Sequence, residues 1–434
     1  MKVFRTVVCA VIAALAATAM AEDAKPGPKF EFHGFIGGSL FSQDAVFNGY
    51  GQQVFFVNKQ PNTDKLLFGG DARQTRLNFS LAGPAVFGGA IPKGVAEVDF
   101  FSALSNVPLQ PWAGSATSPT NAGTSAIVTG PVATTPRLRL AYAELNWGPT
   151  ILRIGQDNDL VQGSFSPTSV GHIPQSFGYG AGYIGTRHTD LGLFQTMPAG
   201  DMKVELAFQV QSQLGGTFDS FQAAGLTTAE ASGVPGLEGR IRLIVPKTAD
   251  VYVAGHWQQF DRNGVNNTLP VPKFLGTNQY ANMGTVGIKL TPGPLTVQGQ
   301  GYIGKNLGNG AMSGGVGNTV LNTQGDFHEY GAWGQLGFNF TPTFSAWGFV
   351  GTERAYNYNE AIKTLGANVR LANTTFVGML RYMEGGYAVA LEYIHMRTKY
   401  GSPQATALVP VNGVLTPQVN MDGNQLMLSG MYFF

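Results

Sequence analysis

Hydrophobic and polar side chains alternate through most of this chain. In MKVELAFQVQ (202–211), Val204, Leu206, Phe208 and Val210 share one parity, and Lys203, Glu205, Gln209 and Gln211 the other. EGRIRLIV (238–245) sets Ile241, Leu243 and Val245 against Glu238, Arg240 and Arg242. TRLNFSL (75–81) sets Leu77, Phe79 and Leu81 against Arg76, Asn78 and Ser80. Helical spacing would mix these sets, whereas a strand separates them. The pattern predicts about sixteen strands. They fall at 30–41, 71–82, 93–102, 136–147, 150–157, 181–197, 202–213, 236–246, 250–261, 279–291, 295–305, 326–340, 344–355, 370–383, 387–400 and 422–434. Most reach the ~9–11 residues that a tilted membrane strand requires.

The connections alternate in length. The short ones are turn-rich, such as WGPT, MPAGD, TPGP and EGG. The long ones, rich in Gly, Asn, Ser, Thr and Pro, span 42–70, 103–135, 158–180, 214–235, 262–278, 306–325, 356–369 and 401–421. Short turns at one end and long loops at the other are the build of an outer-membrane β-barrel. The expected fold is therefore all-β: a transmembrane, antiparallel, up-and-down barrel. An even strand count puts both termini on one side.

The last residues, NQLMLSGMYFF (424–434), fit that architecture. In lipid every backbone polar group must be paired, so the last strand has to close on the first. Leu426, Leu428, Tyr432 and Phe434 then face lipid, with the aromatics at the interface. This ending resembles the C-terminal signal that outer-membrane assembly machinery reads, except that Gly430 stands where an apolar residue is usual.

Composition agrees. Charged residues are 12%, about half of the usual ~25%. The N-terminus has basic Lys2 and Arg5, an apolar run from Val7 to Ala17 and Ala19-Met20-Ala21 before acidic Glu22. It reads as a signal peptide, 1–21, rather than an anchor helix, leaving 22–434 as the barrel with a short N-terminal segment at 22–29. The single cysteine, Cys9, lies in that leader. The exported part then has no thiol for disulfides, metal or nucleophilic chemistry. With 27 basic and 26 acidic residues in the whole chain, there is no bias toward a nucleic-acid partner.

Opposite the lipid face lie the residues expected to line the pore: Arg76, Glu97, Asp99, Arg137, Arg139, Arg153, Lys203, Glu205, Glu238, Arg240, Arg242, Lys289, Arg381 and Glu392. A barrel of about sixteen strands encloses water, and so many charges require it. Two arrangements are open. Arg76, Arg137, Arg139 and Arg153 either form a basic wall that favours anions or pair with Glu97, Asp99 and Glu144. Glu144 breaks the parity of its strand, so its direction is open. The loop 158–180 carries Phe165, His172, Phe177 and Tyr179. It either folds inward as a moderately apolar constriction or stays outside.

The segments DARQTRLNFSLAGP, KGVAEVDFFS, PRLRLAYAELNW and LRIGQD, within about 71–156, resemble DcaP-like porins in order and character. The resemblance implies a trimeric diffusion porin favouring small anionic, carboxylate-bearing solutes. It also implies that Arg76, Glu97, Asp99, Arg137, Arg139 and Arg153 stand in the channel wall. Such porins often carry an N-terminal coiled coil, for which 22–29 is too short and Pro-rich.

Motifs for chemistry are weak. GQGYIG (299–304) and GAGYIG (180–185) match G-x-G-x-x-G, but neither opens a helix. The six histidines lack metal-ligand spacing, and no G-x-S-x-G occurs. Neither enzyme activity nor a cofactor is expected. The expectation is passive diffusion of small hydrophilic solutes, with mild anion preference, through a bacterial outer-membrane homotrimer. The rivals are a loop-plugged barrel acting as receptor, adhesin or anchor, and a sheath around a separate electron-transfer partner. A barrel enzyme ranks last.

Overall fold

A computed structural model describes residues 27–47, 55–57, 66–102, 135–173, 177–212, 228–261, 265–266, 273–274, 278–310, 316, 326–358, 361, 369–401 and 419–434. The leader at 1–21 lies outside them.

The strands are β1 (Lys29–Gln43), β2 (Leu67–Asp71), β3 (Arg76–Ala82), β4 (Ile91–Ser102), β5 (Thr135–Asn146), β6 (Thr150–Asn158), β7 (Arg187–Ala199), β8 (Met202–Gln211), β9 (Gly236–Val245), β10 (Ala249–Asp261), β11 (Val265–Asn266), β12 (Lys273–Phe274), β13 (Asn278–Leu290), β14 (Leu295–Lys305), β15 (His328–Asn339), β16 (Phe344–Ala355), β17 (Arg370–Glu384), β18 (Tyr387–Tyr400) and β19 (Val419–Phe433). All but β11 and β12 join one antiparallel sheet that closes on itself where β1 pairs with β19. β2 and β3 both pair with β1 and form two halves of one stave. The barrel therefore has sixteen staves, in agreement with the alternation in the sequence. Closure continues past β19, where Gly34 and Phe434 exchange both backbone hydrogen bonds at 3.1 Å. The unpaired edge that lipid could not satisfy is removed.

The outer surface is apolar. Leu426, Leu428 and Tyr432 are 47%, 51% and 40% exposed, while Gln425, Ser429 and Met431 between them are buried. At the short-turn end, Phe32 lies 4.9 Å from Phe79 and 5.1 Å from Phe434, and Tyr387 lies 4.6 Å from Tyr432. These rings form an arc of the aromatic girdle expected at an interface.

Two irregularities re-aim side chains. Between Asp71 and Arg76 the second stave has four residues (72–75), against three on β1 (36–38). The extra residue turns Arg73 and Gln74 inward, where Arg73 holds Asp71 (Nη2–Oδ2 2.6 Å) and Gln74 donates to Ser39 Oγ (3.1 Å). On β5 a bulge sets Arg139 and Leu140 together opposite Glu97. Beyond it the inward parity has changed, so Arg139 and Glu144 face the same side. This accounts for the break at Glu144, which is buried and pairs with Arg153 (2.7 Å). The sequence pattern also ran β7 back to residue 181, but residues up to 186 belong to the preceding loop.

Candidate functional site

The loop between β6 and β7, in its described residues 159–173 and 177–186, folds into the barrel. Its neck is pinned by hydrogen bonds between Asp159 and Thr186: N–H to carbonyl at 3.1 Å and Thr186 N–H to Asp159 Oδ2 at 2.6 Å. Burial disfavours the Asp159 charge, but His188 and the Thr186 N–H outweigh it and hold the carboxyl below its ordinary range. From the neck the loop crosses to the inner wall. Glu238 on β9 accepts the Leu160 and Val161 N–H groups (2.5 and 3.2 Å). Gln300 on β14 donates to the Val161 carbonyl (2.8 Å), and Gln335 on β15 brackets Thr168 (2.7 and 2.8 Å). Glu392 on β18 accepts Ser169 Oγ (2.7 Å) and the Val170 and Gly171 N–H groups (3.3 and 2.8 Å), with His172 Nδ1 at 3.4 Å. Asn373 on β17 donates to the Gly180 carbonyl (2.7 Å). Wall side chains thus satisfy backbone groups that have no strand of their own.

Close approach needs glycine at two of these points. A Cβ at Gly182, whose φ is +94°, would run into the Ala332 backbone, and one at Gly171 would overlap Glu392 and Ser429. Residues 55–57 of the first long loop add to the cover. The Val57 N–H donates to Thr398 Oγ1 and its carbonyl accepts from Tyr400, both at 2.8 Å, while Arg370 stacks on Phe56 at 3.8 Å. One half of the inner wall is therefore lined by packed loop, around a cluster that includes Phe177, Trp333, Phe349, Ile394 and Met396.

The other half carries paired charges. Arg139 contacts Glu97 (2.8 Å) and Asp99 (2.9 Å), Arg137 contacts Asp99 (2.6 Å), and Arg76 lies 3.5 Å from Glu97. Arg153 bridges Glu144 and Asp157 and packs over the Tyr142 ring at 4.1 Å. Arg240 pairs with Glu205 (2.9 Å) and Arg242 with Asp250 (2.6 Å). Of the two arrangements open in the sequence, the paired network is present. The balance is nevertheless uneven. Arg76, Arg137, Arg139 and Arg187 lie close enough around Glu97 and Asp99 to act on one another electrostatically. Among the described residues, Arg187 forms no ion pair.

Several expected site residues need correction. Glu238 and Glu392 face inward but are 2% and 0% exposed, because the loop covers them. They anchor the loop and do not line open water. His172 and Phe177 are each 1% exposed, so neither ring borders an aperture. Phe177 packs on Phe349 at 4.7 Å, where burial in an apolar cluster outweighs exposure to the channel. Phe165 and Tyr179 are half-buried. Phe165 lies edge-on to Tyr252 (5.6 Å), and Tyr179 donates to the Gly185 carbonyl (2.9 Å), its phenol raised above the usual value by burial. Lys203 is exposed beside a short turn and Lys289 is half-buried. Arg381 is half-buried too, 5.3 Å from the Trp347 ring. Sequence reading passed over Arg187, Asp250 and Asp157. Arg187 was hidden because it shares the parity of the outward Leu191 and Leu193 on the same strand. Asp250 and Asp157 share the parity of Arg242 and Arg153, which would have found them.

Comparison with known proteins bears on the fold. No protein-family model matches the chain, and a search of curated proteins gives no match. Among solved structures, the chain is similar to the outer membrane channel DcaP of Acinetobacter baumannii, with 13% identity, TM-score 0.65 and coverage of 95% of this chain and 99% of that one. It is also similar to an anion-selective porin from Comamonas acidovorans, with 12% identity, TM-score 0.53 and coverage of 94% and 100%. A third is the outer membrane protein OmpT of Vibrio cholerae in its trimer form, with 10% identity, TM-score 0.50 and coverage of 94% and 100%. At these identities the likeness is one of fold, and the fold is that of a sixteen-stranded porin.

Proposed function

We propose that this chain is an outer-membrane channel for passive diffusion of small hydrophilic solutes, with a mild preference for anions such as carboxylates. The observation that carries this reading is the cluster opposite the packed loop, where, among the described residues, four arginines gather around Glu97 and Asp99. Charge fixed in a narrow, low-dielectric passage concentrates counter-ions, and a net positive wall concentrates anions. Arg137 and Arg187 keep partial exposure, and a guanidinium offers a carboxylate paired donors. The chain itself performs no covalent chemistry in this reading. The printed descriptions of two similar structures, a channel and an anion-selective porin, support it. The trimer form of the third supports a homotrimer.

The test is electrical. The chain from residue 22 onward is refolded and recorded as single channels in a planar bilayer across a salt gradient. The expected result is ohmic steps with a reversal potential of anion sign, shifted toward cations by Arg187→Glu. A cation-selective wild type would overturn the preference.

A second reading, a plugged barrel serving as receptor or anchor, draws support from the inward packing of residues 55–57 and 159–186. A folded barrel that passes no current would favour it.

A further inference from the structure

The outward side chains of β16–β19 change character with height. Tyr382, Tyr387 and Tyr432 stand at the short-turn end, and Val350, Phe376, Tyr393 and Leu426 occupy the middle, all exposed. Above them the outward positions become Arg354, Arg397 and Lys399. With Tyr358, Thr374 and Asn420, these cations surround a cavity of about 220 Å³ on the outside of the barrel. Lys399 Nζ sits 5.0 Å over the Tyr358 ring. Among the described residues the acidic neighbour is Asp422, which Arg397 contacts at 2.6 Å while remaining 57% exposed. His395 lies 3.9 Å from the same carboxylate.

We propose that this cavity binds the phosphate group of a lipid in the leaflet at the long-loop end. Three observations converge. The first is charge: among the described residues three cations stand against one carboxylate, and guanidinium groups bind phosphate through paired, charge-assisted hydrogen bonds. The second is height. Tyr387 and Arg397 are ten residues apart on β18, as are Phe344 and Arg354 on β16. At about 3.3 Å per residue and a tilt of about 40°, ten residues climb roughly 25 Å, the height of the lipid-facing band. The cations therefore stand where headgroups begin. The third is continuity. Just below the cavity lies an apolar recess of about 570 Å³, where Gly334, Gly348 and Gly378 leave room between Val350, Phe376 and Tyr393. A phosphate above and an acyl chain below describe one amphiphile. The neighbouring outward positions at the same end include Trp257, Tyr280, Ile303 and Tyr330, and the basic residues beside them are His328 and Lys305, the latter held by Asp326 at 2.7 Å.

This inference rests on the chain spanning a membrane with its long loops outward. The purified full-length barrel in detergent is titrated with bis-phosphorylated lipid A, dephosphorylated lipid A and inorganic phosphate, and bound adducts are counted by native mass spectrometry. Phosphorylated lipid A is expected to bind at least tenfold more tightly than the dephosphorylated form, and inorganic phosphate only weakly. Combined Arg354→Ser, Arg397→Ser and Lys399→Ser should remove that preference and leave single-channel current unchanged. Equal binding of the two lipids, or full binding by the triple variant, would overturn the proposal. Inorganic phosphate binding as tightly as the lipid would make this a free-anion site. A triple variant with altered oligomeric mass and unaltered lipid affinity would make it a subunit contact. Either result overturns the lipid assignment. Current recorded on the same sample separates failure of this inference from failure of the channel reading.

Discussion

Glu392 shows what a buried charge does here. Its carboxylate accepts from Ser169 Oγ and from two backbone N–H groups, and faces His172. A hydrogen bond to a charged group contributes about 1.5–3 kcal/mol. Glu392→Gln keeps the shape and removes the charge. It should lower the midpoint of the heat-induced mobility shift on gels and add flicker to the open-channel current, with the barrel still formed. An unchanged midpoint and quiet current would mean that the loop is held by its apolar contacts alone. Parity showed that Glu392 and Glu238 face inward, and it did so from local sequence. What covers them comes from residues 159–186, far away in the chain, and no local pattern reports that. The same limit applies to His172 and Phe177, whose packing partners lie on β16 and β18.

At the level of the strand, alternation is a strong signal because one misplaced residue turns every following side chain to the wrong face. Fifteen of the sixteen staves are continuous, and all of these but β7, which starts six residues later than the pattern implies, match it closely, while the second is broken at 72–75. The bulge at Arg139 and Leu140 is the opposite case, where a deliberate extra residue brings Arg139 and Glu144 to the same side. Deleting Leu140 removes the offset. Residues on one side of the deletion must then change face, sending either Arg137 and Arg139 or Glu144 and Tyr142 toward lipid. A charge there costs several kcal/mol. The expected outcome is a chain that fails to reach its heat-modifiable form. A deletion that assembles normally would show that the bulge is dispensable. The bulge itself was legible only as a fault in the pattern at Glu144. The break in the second stave left no such mark, because DARQT reads as an ordinary polar stretch.

For the whole molecule, closure is the condition on which everything else depends. Phe434 supplies both backbone hydrogen bonds to Gly34 and a ring against Phe32 and Tyr432. Removing Phe434 should slow refolding into lipid vesicles several-fold and lower the yield of folded barrel, as read by gel mobility. Equal rates and yields would show that closure is complete one residue earlier. The closed ring has one more property that follows from the inward loop. Residues 159–173 and 177–186 leave the wall at β6, touch β9, β14, β15, β17 and β18, and return at β7. A bare cylinder ovalises easily, because bending it stretches no bond strongly. A chord fixed at several points to the opposite side resists that motion along its own axis. The tube is therefore braced from within: stiff across the chord, compliant at right angles to it, and steady in bore where a solute would meet the arginines.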